Sequence, residues 1–161
     1  MKTYLHAFVM CQSMFCAIPF PGNLWDEKAR DKMLLFLPLV GLEMGAIWVA
    51  VAWLCSLLNL PVLVKGLVLA IYPYLAAGFI HLDGYMDTCD AILSWRPLEQ
   101  RLRILKDVHT GAFAVVGLGL LMMFSYAAAI DLERFDLQAL IFIPVISRCG
   151  SAFCVLTLKP I

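Results

Sequence analysis

The sequence predicts an all-α protein, a multi-pass integral membrane helical bundle in which residues 1–161 form a single membrane domain. Hydrophobic residues make up 63% of the chain and charged residues only 15%, whereas a soluble domain carries roughly 25% charged residues. Four apolar segments are also long enough to cross a bilayer as helices. Strand-length alternation of apolar and polar residues is absent, which disfavours a membrane barrel.

The first 32 residues are predicted to form an amphipathic or partly inserted amino-terminal segment. Its helix is expected to stop at Pro19 and Pro21, because proline cannot supply the backbone donor that a helix needs. A cleaved signal peptide is disfavoured, since there is no compact basic region and no A-x-A cleavage pattern.

Four transmembrane helices are predicted, over residues 33–58, 61–80, 111–130 and 138–158. Each segment is rich in Leu, Ala and Val and reaches the roughly 20 residues that a crossing requires. The first two are separated by only about two residues, so we expect them to form an antiparallel hairpin.

The basic residues predict the orientation, because Lys and Arg accumulate on the cytoplasmic side of a membrane. They cluster before the first span and between the second and third spans, whereas the loop at 131–137 holds one. The residues concerned are Lys28, Arg30, Lys32, Arg96, Arg101, Arg103 and Lys106, against Arg134 alone. Both chain ends and the loop at 81–110 are therefore expected to face the cytoplasm from the cell (inner) membrane.

Three ionisable residues fall inside the predicted spans, where such groups are costly and therefore candidates for function. Lys65 lies near a helix start and is expected to extend to the interface. Glu43 stands between Gly41 and Gly45, whose spacing allows close helix packing. Arg148 lies in mid-span among small residues, where it is predicted either to neutralise a substrate phosphate or to pair with an aspartate.

The segment at 81–110 is predicted to be the catalytic loop. Asp83, Asp87 and Asp90 are spaced i, i+4 and i+7, so on a helix they share one face. Like charges so placed repel one another, and a Mg²⁺ ion would compensate them, because it binds carboxylates together with substrate phosphates. The alternative is a solvated acidic face at a helix end.

A second helix is predicted to follow Pro97 and to run from Leu98 to about Asp107. Arg101 and Lys106 on this helix could meet phosphate, although a plain amphipathic helix at the interface explains them equally well. Carboxylates beside cations, with no thiol or serine nucleophile motif, favour metal-assisted phosphoryl transfer. The formal net charge of zero excludes the basic surface that nucleic acid would require.

Several short motifs resemble the signature region of the cobalamin synthase (adenosylcobinamide-GDP ribazoletransferase) family. Amino-terminal runs resemble that family too, at the same distance from the aspartates. The motifs are His81-Leu82-Asp83-Gly84, Asp87-Thr88-Cys89-Asp90, Lys106-Asp107 and Gly111-Ala112-Phe113, with Ile18-Pro19-Phe20-Pro21, Trp25 and Phe36-Leu37-Pro38-Leu39-Val40-Gly41 before them.

The resemblance implies the last step of cobalamin assembly. The adenosylcobinamide phosphate moiety passes from adenosylcobinamide-GDP to α-ribazole or its 5′-phosphate, GMP leaves, and Mg²⁺ is the expected cofactor. The bilayer is an expected partner, together with a second copy of the chain or other cobalamin-assembly enzymes.

The resemblance also implies roles for the candidate residues. The three aspartates would hold the metal, and the basic residues would counter the charge of the diphosphate. Asp107 or His109 would orient or deprotonate the attacking hydroxyl, and His81 is counted with these catalytic candidates. The full set is Asp107, His109 and His81 as catalytic, Arg101, Lys106 and Arg148 as substrate-binding, and Asp83, Asp87 and Asp90 as metal-binding.

The chain departs from the family pattern at three places. Ala91 stands where the family usually has Gly, Cys16-Ala17 where Thr-Arg is frequent, and His109 where Arg is common. Members of the family are generally longer, so we expect the chain to represent the amino-terminal part of a domain truncated at its carboxyl end.

Two rival functions are considered. A CDP-alcohol phosphotransferase of lipid synthesis also uses intramembrane aspartates, but the residues from Ala91 to Arg96 lack the spacing of that family. In a non-catalytic transporter subunit the aspartates would bind a transported cation. Internal repeats would favour that reading, and the sequence shows none.

Overall fold

The structure is a computed structural model that describes residues 2–18, 25–134 and 137–159. Within these ranges every regular element is helical, which confirms the predicted fold class. Short 3₁₀ turns at Glu27–Ala29, Leu34–Phe36 and Asp131–Arg134 adjoin the helices. The helices are α1 (Lys2–Phe15), α2 (Arg30–Met33), α3 (Leu37–Leu57), α4 (Val62–Ala76), α5 (Ile80–Leu93), α6 (Leu98–Ile104), α7 (Ala112–Ile130) and α8 (Ala139–Thr157).

Helices α3 and α8 pack closely together through glycine. A methyl group on Gly41 would come within 2.7 Å of the Pro144 carbonyl oxygen, and one on Gly45 within 2.6 Å of the Ile141 Cα. Both glycines are buried, so the two backbones pack directly together. Small residues four apart allow this approach between membrane helices, where van der Waals contact rather than hydrophobic burial drives association. The predicted packing role of the two glycines is confirmed.

Helices α4 and α5 form a bent pair, with an angle of 93° between them. Helix α4 has 15 residues, a length of about 22 Å, which is short of the roughly 30 Å hydrocarbon layer. It ends at Ala76 because Gly78 and Phe79 both take left-handed backbone angles, with φ of 64° and 62°. The hydropathy of residues 61–80 predicts one continuous helix, because an average over apolar side chains contains no information about the backbone turn at 78–79.

The bent pair follows α7 from one end to the other. Near the carboxyl end of α7, Gly66 of α4 packs on Ile130 and the Tyr126 hydroxyl donates to the Leu63 carbonyl at 3.2 Å. Near its amino end, the Tyr85 hydroxyl of α5 donates to the Gly117 carbonyl at 3.2 Å. Such a course fits either one crossing with a break inside it or a re-entrant pair of helices.

By length and apolar composition, three helical segments of the described chain could cross a membrane, or four if the bent pair counts as one span. The three are Glu27–Leu57, Ala112–Ile130 and Ala139–Thr157. The last two agree with the predicted spans to within a residue at each end. The first begins earlier than predicted, because 3₁₀ and α-helical turns continue it back to Glu27.

Helix α1 runs beside the first residues of the α2–α3 segment. The Lys32 ammonium lies 4.6 Å from the centre of the Tyr4 ring, and Phe8 meets Phe36 edge to face with ring centres 5.8 Å apart. The helix ends at Phe15, close to the level of Met44. The amphipathic or partly inserted character of this segment stays a prediction. The predicted stop at Pro19 and Pro21 lies outside the described residues.

A substitution at the α3–α8 contact should separate the two helices. We expect Gly45→Ala to lower the free energy of unfolding by about 1–3 kcal/mol, because the new methyl would overlap the Ile141 backbone. Gly150→Ala is the matched control, since nothing lies within 4 Å of a methyl there. Denaturant unfolding in detergent micelles measures the stability of both variants. Equal denaturation midpoints for the two variants would contradict close packing of α3 against α8.

Candidate functional site

Two cavities lie at opposite ends of α5, and they are bordered by five of the nine predicted site residues, whereas Asp83, Asp87, Arg101 and Lys106 border neither. The polar cavity, about 390 Å³, is bordered by Asp90, Arg96, Asp107 and His109 together with backbone around Gly111. The membrane cavity, about 360 Å³, lies among α3, α4, α7 and α8. Its lining is apolar apart from a few groups, which are His81, Arg148, Ser125, Ser147, Tyr72 and Tyr74.

Asp90 caps the start of α7 from a different helix. One carboxylate oxygen accepts the Gly111 N–H at 2.6 Å and the other accepts the Ala114 N–H at 2.9 Å. These N–H groups belong to the first turn of α7, where a helix has no acceptors of its own. Glycine fits at 111 because a methyl there would come within 2.5 Å of the carboxylate. Asp90 is 9% exposed, so this buried contact fixes α5 against α7.

Asp83 and Asp87 lie on α5 together with Asp90, which confirms that the three aspartates share one helix. Asp83 is exposed and Asp87 half-buried. Within the described residues, no three His, Cys, Asp or Glu side chains are close enough together to hold a metal ion. The structure therefore departs from the predicted three-aspartate cluster, because both oxygens of Asp90 are directed at α7. Asp83 and Asp87 remain as the carboxylates available to a cation.

Asp107 and His109 form a hydrogen-bonded pair at the mouth of the polar cavity. The Asp107 carboxylate accepts from the His109 backbone N–H at 3.1 Å and from its Nδ1 at 2.7 Å. Because a carboxylate only accepts, Nδ1 carries the ring proton and the Nε2 of a neutral ring is left as an acceptor. The hydrogen bonds from His109 hold the pKa of Asp107 below its ordinary value. The pair is therefore lost only as the pH falls through this lowered pKa.

The predicted phosphate-binding cations, Arg101 and Lys106, lie on α6 and just after it. Helix α6 begins after Pro97 as predicted but ends at Ile104. Arg101 donates its Nε to the Arg96 carbonyl at 2.6 Å, and neither Arg101 nor Lys106 borders the polar cavity. Arg96 does border it. The sequence grouped Arg96 with the basic loop residues but gave no reason to choose it, since its position depends on the turn between α5 and α6.

Arg148 and His81 meet at the edge of the membrane cavity. A guanidinium NH of Arg148 donates to the Nε2 of His81, whose ring stacks on Phe15 with centres 6.3 Å apart. The other terminal nitrogen faces the Phe15 carbonyl at 3.5 Å and the Met44 sulfur at 3.4 Å. Arg148 is 6% exposed. In the described part of the chain it contacts no aspartate, so that alternative for Arg148 is not observed there.

Comparison with known proteins identifies the family. The family model described as cobalamin-5-phosphate synthase matches residues 7–161. The chain belongs to the cobalamin-5-phosphate synthase family. A relative from Clostridium perfringens is 38% identical over 159 residues, covering 98% of this chain and 63% of its own length. One from Clostridium botulinum is 38% identical over 160 residues, covering 98% and 64%.

A more distant member of the cobalamin-5-phosphate synthase family, from Geobacillus thermodenitrificans, is 28% identical over 158 residues. All three relatives bear the name adenosylcobinamide-GDP ribazoletransferase. The chain spans somewhat less than two thirds of the length of these curated relatives. No solved structure matches the chain.

The resemblance to the cobalamin-5-phosphate synthase family is thus confirmed, and one departure from its pattern has a structural setting. Ala91 lies on α5 directly after Asp90 and is 2% exposed. Its methyl is therefore buried beside the residue that caps α7. The departure changes a packing position next to the polar cavity rather than a group that could reach a substrate.

The Asp90 cap predicts a specific loss of stability. Asp90→Ala leaves two α7 N–H groups without their acceptor, so we expect the free energy of unfolding to fall by about 1–3 kcal/mol. Asp83→Ala removes an exposed carboxylate of the same helix and should change the free energy of unfolding by less than about 0.5 kcal/mol. Denaturant unfolding in detergent compares them. A loss at Asp83 as large as that at Asp90 would argue against the cap.

Proposed function

We propose that the protein contributes the transferase site of an adenosylcobinamide-GDP ribazoletransferase, acting in the last step of cobalamin biosynthesis. The observation that carries this proposal is the match to relatives of that name over 98% of the chain. The matched region includes α5, the polar cavity and the Asp107–His109 pair.

In the proposed reaction, a hydroxyl oxygen of α-ribazole or its 5′-phosphate bonds to the phosphorus attached to cobinamide. The bond from that phosphorus to the GMP oxygen breaks, and GMP leaves with its electron pair. The hydroxyl proton passes to a base. Such transfers depend mainly on positioning and on stabilising the charge of the transferred group.

His109 is the proposed base, and Asp107 its positioning residue. The carboxylate fixes the ring and keeps the proton on Nδ1, so Nε2 is free to accept the hydroxyl proton. The lowered pKa of Asp107 keeps this residue ionised at neutral pH, in the state that accepts both hydrogen bonds. Arg96 lines the same cavity and is placed to counter negative charge there.

Mg²⁺ is the proposed cofactor, held by Asp83 and Asp87. These residues suit the ion because it is commonly bound by one or two carboxylates plus substrate phosphates. When bound, the ion would neutralise charge on the diphosphate. Asp90 is assigned a positioning role, because both of its oxygens accept backbone hydrogen bonds. His81 remains a proposed catalytic residue, and Arg101, Lys106 and Arg148 remain proposed contacts of the substrate phosphates.

The proposed location is the cell membrane, with the polar cavity on the cytoplasmic side. The basic residues between α5 and α7 favour this orientation, and water-soluble nucleotide substrates would reach the site from there. The bilayer is the proposed environment, and association with a second copy or with other cobalamin-assembly enzymes is a further expectation.

The test is an assay of membranes that contain this chain. They should release GMP from adenosylcobinamide-GDP in the presence of α-ribazole, and only when Mg²⁺ is supplied. The Clostridium perfringens relative, produced in the same host, is the positive control. Activity of the relative together with none from this chain would show that these residues do not carry the reaction. Release of CMP from a CDP-linked lipid instead would favour the rival phosphotransferase.

Substitutions in the same assay test the assigned roles. We expect Asp87→Asn to abolish most of the Mg²⁺-dependent rate, and His109→Gln to lower it by about 10²–10⁴-fold, as loss of a general base does. Glu99→Gln, which changes an exposed acid on α6, is the control and should leave the rate unchanged. Full activity of both site variants would contradict the assignments.

A further inference from the structure

The membrane cavity contains a buried positive charge for which the described residues provide no negative partner. Arg148 is 94% buried and its Nε has no hydrogen-bond acceptor. Its terminal nitrogens face an imidazole, a carbonyl oxygen and a thioether sulfur. None of these groups is an anion. Charged side chains inside a membrane protein normally pair with an opposite charge or line a ligand path.

His81, which contacts Arg148, carries a further hydrogen-bond donor. A guanidinium can only donate hydrogen bonds, so the His81 Nε2 that faces Arg148 must be the acceptor. The ring is then neutral and its proton lies on Nδ1. Among the described residues this Nδ1 has no acceptor. The contact with Arg148 therefore fixes His81 as a donor without removing any of the positive charge.

The start of α5 contributes backbone donors beside the same pair. The cap residue Phe79 has a left-handed backbone and makes no side-chain cap hydrogen bond. The N–H groups of Ile80 and His81, which open the helix, find no acceptor in the described ranges. Unpaired N–H groups and the helix dipole make such an end favourable for an anion.

The space next to these donors suits the rest of a ligand. The cavity of about 360 Å³ lies within the usual range for small-molecule sites, roughly 300–1,000 Å³. Trp48, Leu69 and Tyr72 line its wall, and the break between α4 and α5 lies at its edge. Broken helices at membrane depth commonly border binding sites of this kind.

We propose that Arg148, His81 and the amino end of α5 form an anion site that binds the phosphate group of an amphiphilic ligand, whose apolar part occupies the membrane cavity. The site is separate from the polar cavity, because His81 and Asp90 lie nine residues apart on α5, a distance of about 13 Å. It deepens the proposed function if the ligand is the nucleotide-linked substrate, but phosphate binding here does not depend on the transfer reaction taking place. A phosphate of this kind can come from an anionic lipid or from a nucleotide-linked substrate.

The test measures binding without turnover. The midpoint temperature of thermal unfolding is measured for purified protein in a neutral detergent at increasing concentrations of inorganic phosphate. Sodium chloride at equal ionic strength is the reference. A ligand that binds the folded state raises the midpoint as its concentration grows. We expect this rise in the unaltered chain, and we expect Arg148→Gln to weaken phosphate binding by at least about tenfold, a loss of roughly 1.4 kcal/mol.

Two further variants separate binding from folding. Lys65→Gln removes another buried cation, one that donates to Ser56 at 2.8 Å, and should leave the phosphate response intact. His81→Phe retains a ring that can stack on Phe15 but removes the donor, so it should weaken the response even if Arg148→Gln fails to fold. Identical responses from the unaltered chain and His81→Phe, or no response to phosphate in the unaltered chain, would overturn the proposal.

The source of the phosphate is resolved by competition. Nanodiscs of phosphatidylcholine alone are compared with nanodiscs that also contain phosphatidylglycerol, and GDP is added to the first. Displacement of phosphate by phosphatidylglycerol would assign the site to a lipid, and displacement by GDP would assign it to the nucleotide-linked substrate. Either result supports the proposed anion site. Displacement of phosphate to the same extent in Arg148→Gln as in the unaltered chain would contradict it. Because no product is measured, failure here leaves the transfer assay unaffected.

Discussion

The contact between Arg148 and His81 brings the ends of α1 and α5 together with the middle of α8. A guanidinium in the middle of α8 reaches the first turn of α5, the last carbonyl of α1 and the Met44 sulfur of α3. In a hydrocarbon layer, water cannot satisfy polar groups, so each must find a partner within the protein. The ends of α1 and α5 therefore gather around Arg148. The break after α4 lies beside this contact, and Phe79 and Ile80 there remain exposed.

Helix α5 is attached to the rest of the protein at both of its ends. At its amino end His81 meets Arg148, and near its carboxyl end Asp90 caps the first turn of α7. Asp83 and Asp87 lie between these two attachments. A candidate metal site therefore rests on a helix rather than on a free loop, and functional groups on a rigid element keep their geometry better than groups on loops.

The sequence predicted the helices that hydropathy alone can define. The bounds of α7 and α8 follow from long apolar runs that end at charged or polar residues, and the packing at Gly41 and Gly45 follows from their spacing. Hydropathy could not predict the end of α4. Gly78 is one glycine in an apolar run, and its left-handed backbone becomes apparent only when α5 turns away.

The sequence predicted the residues of the candidate site better than it predicted their arrangement in space. Spacing placed the aspartates on one helix face, but it could not show that α7 begins beside Asp90, since Gly111 is 21 residues further along the chain. The cost of burying a charge identified Arg148, whereas its contact with His81 depends on two distant helices. Local pattern thus identified the groups, and tertiary packing decided their partners.

The most direct test of this account is the depth of the start of α5 in the bilayer. Spin labels at position 80 and at position 95, each in a variant without native cysteines, are compared for collision with oxygen and with a water-soluble nickel chelate. We expect position 80 to be accessible to oxygen and shielded from the chelate, and position 95 to be exposed to the chelate. Equal access of the chelate to both positions would mean that α5 belongs to a loop in water, and the broken span would be wrong.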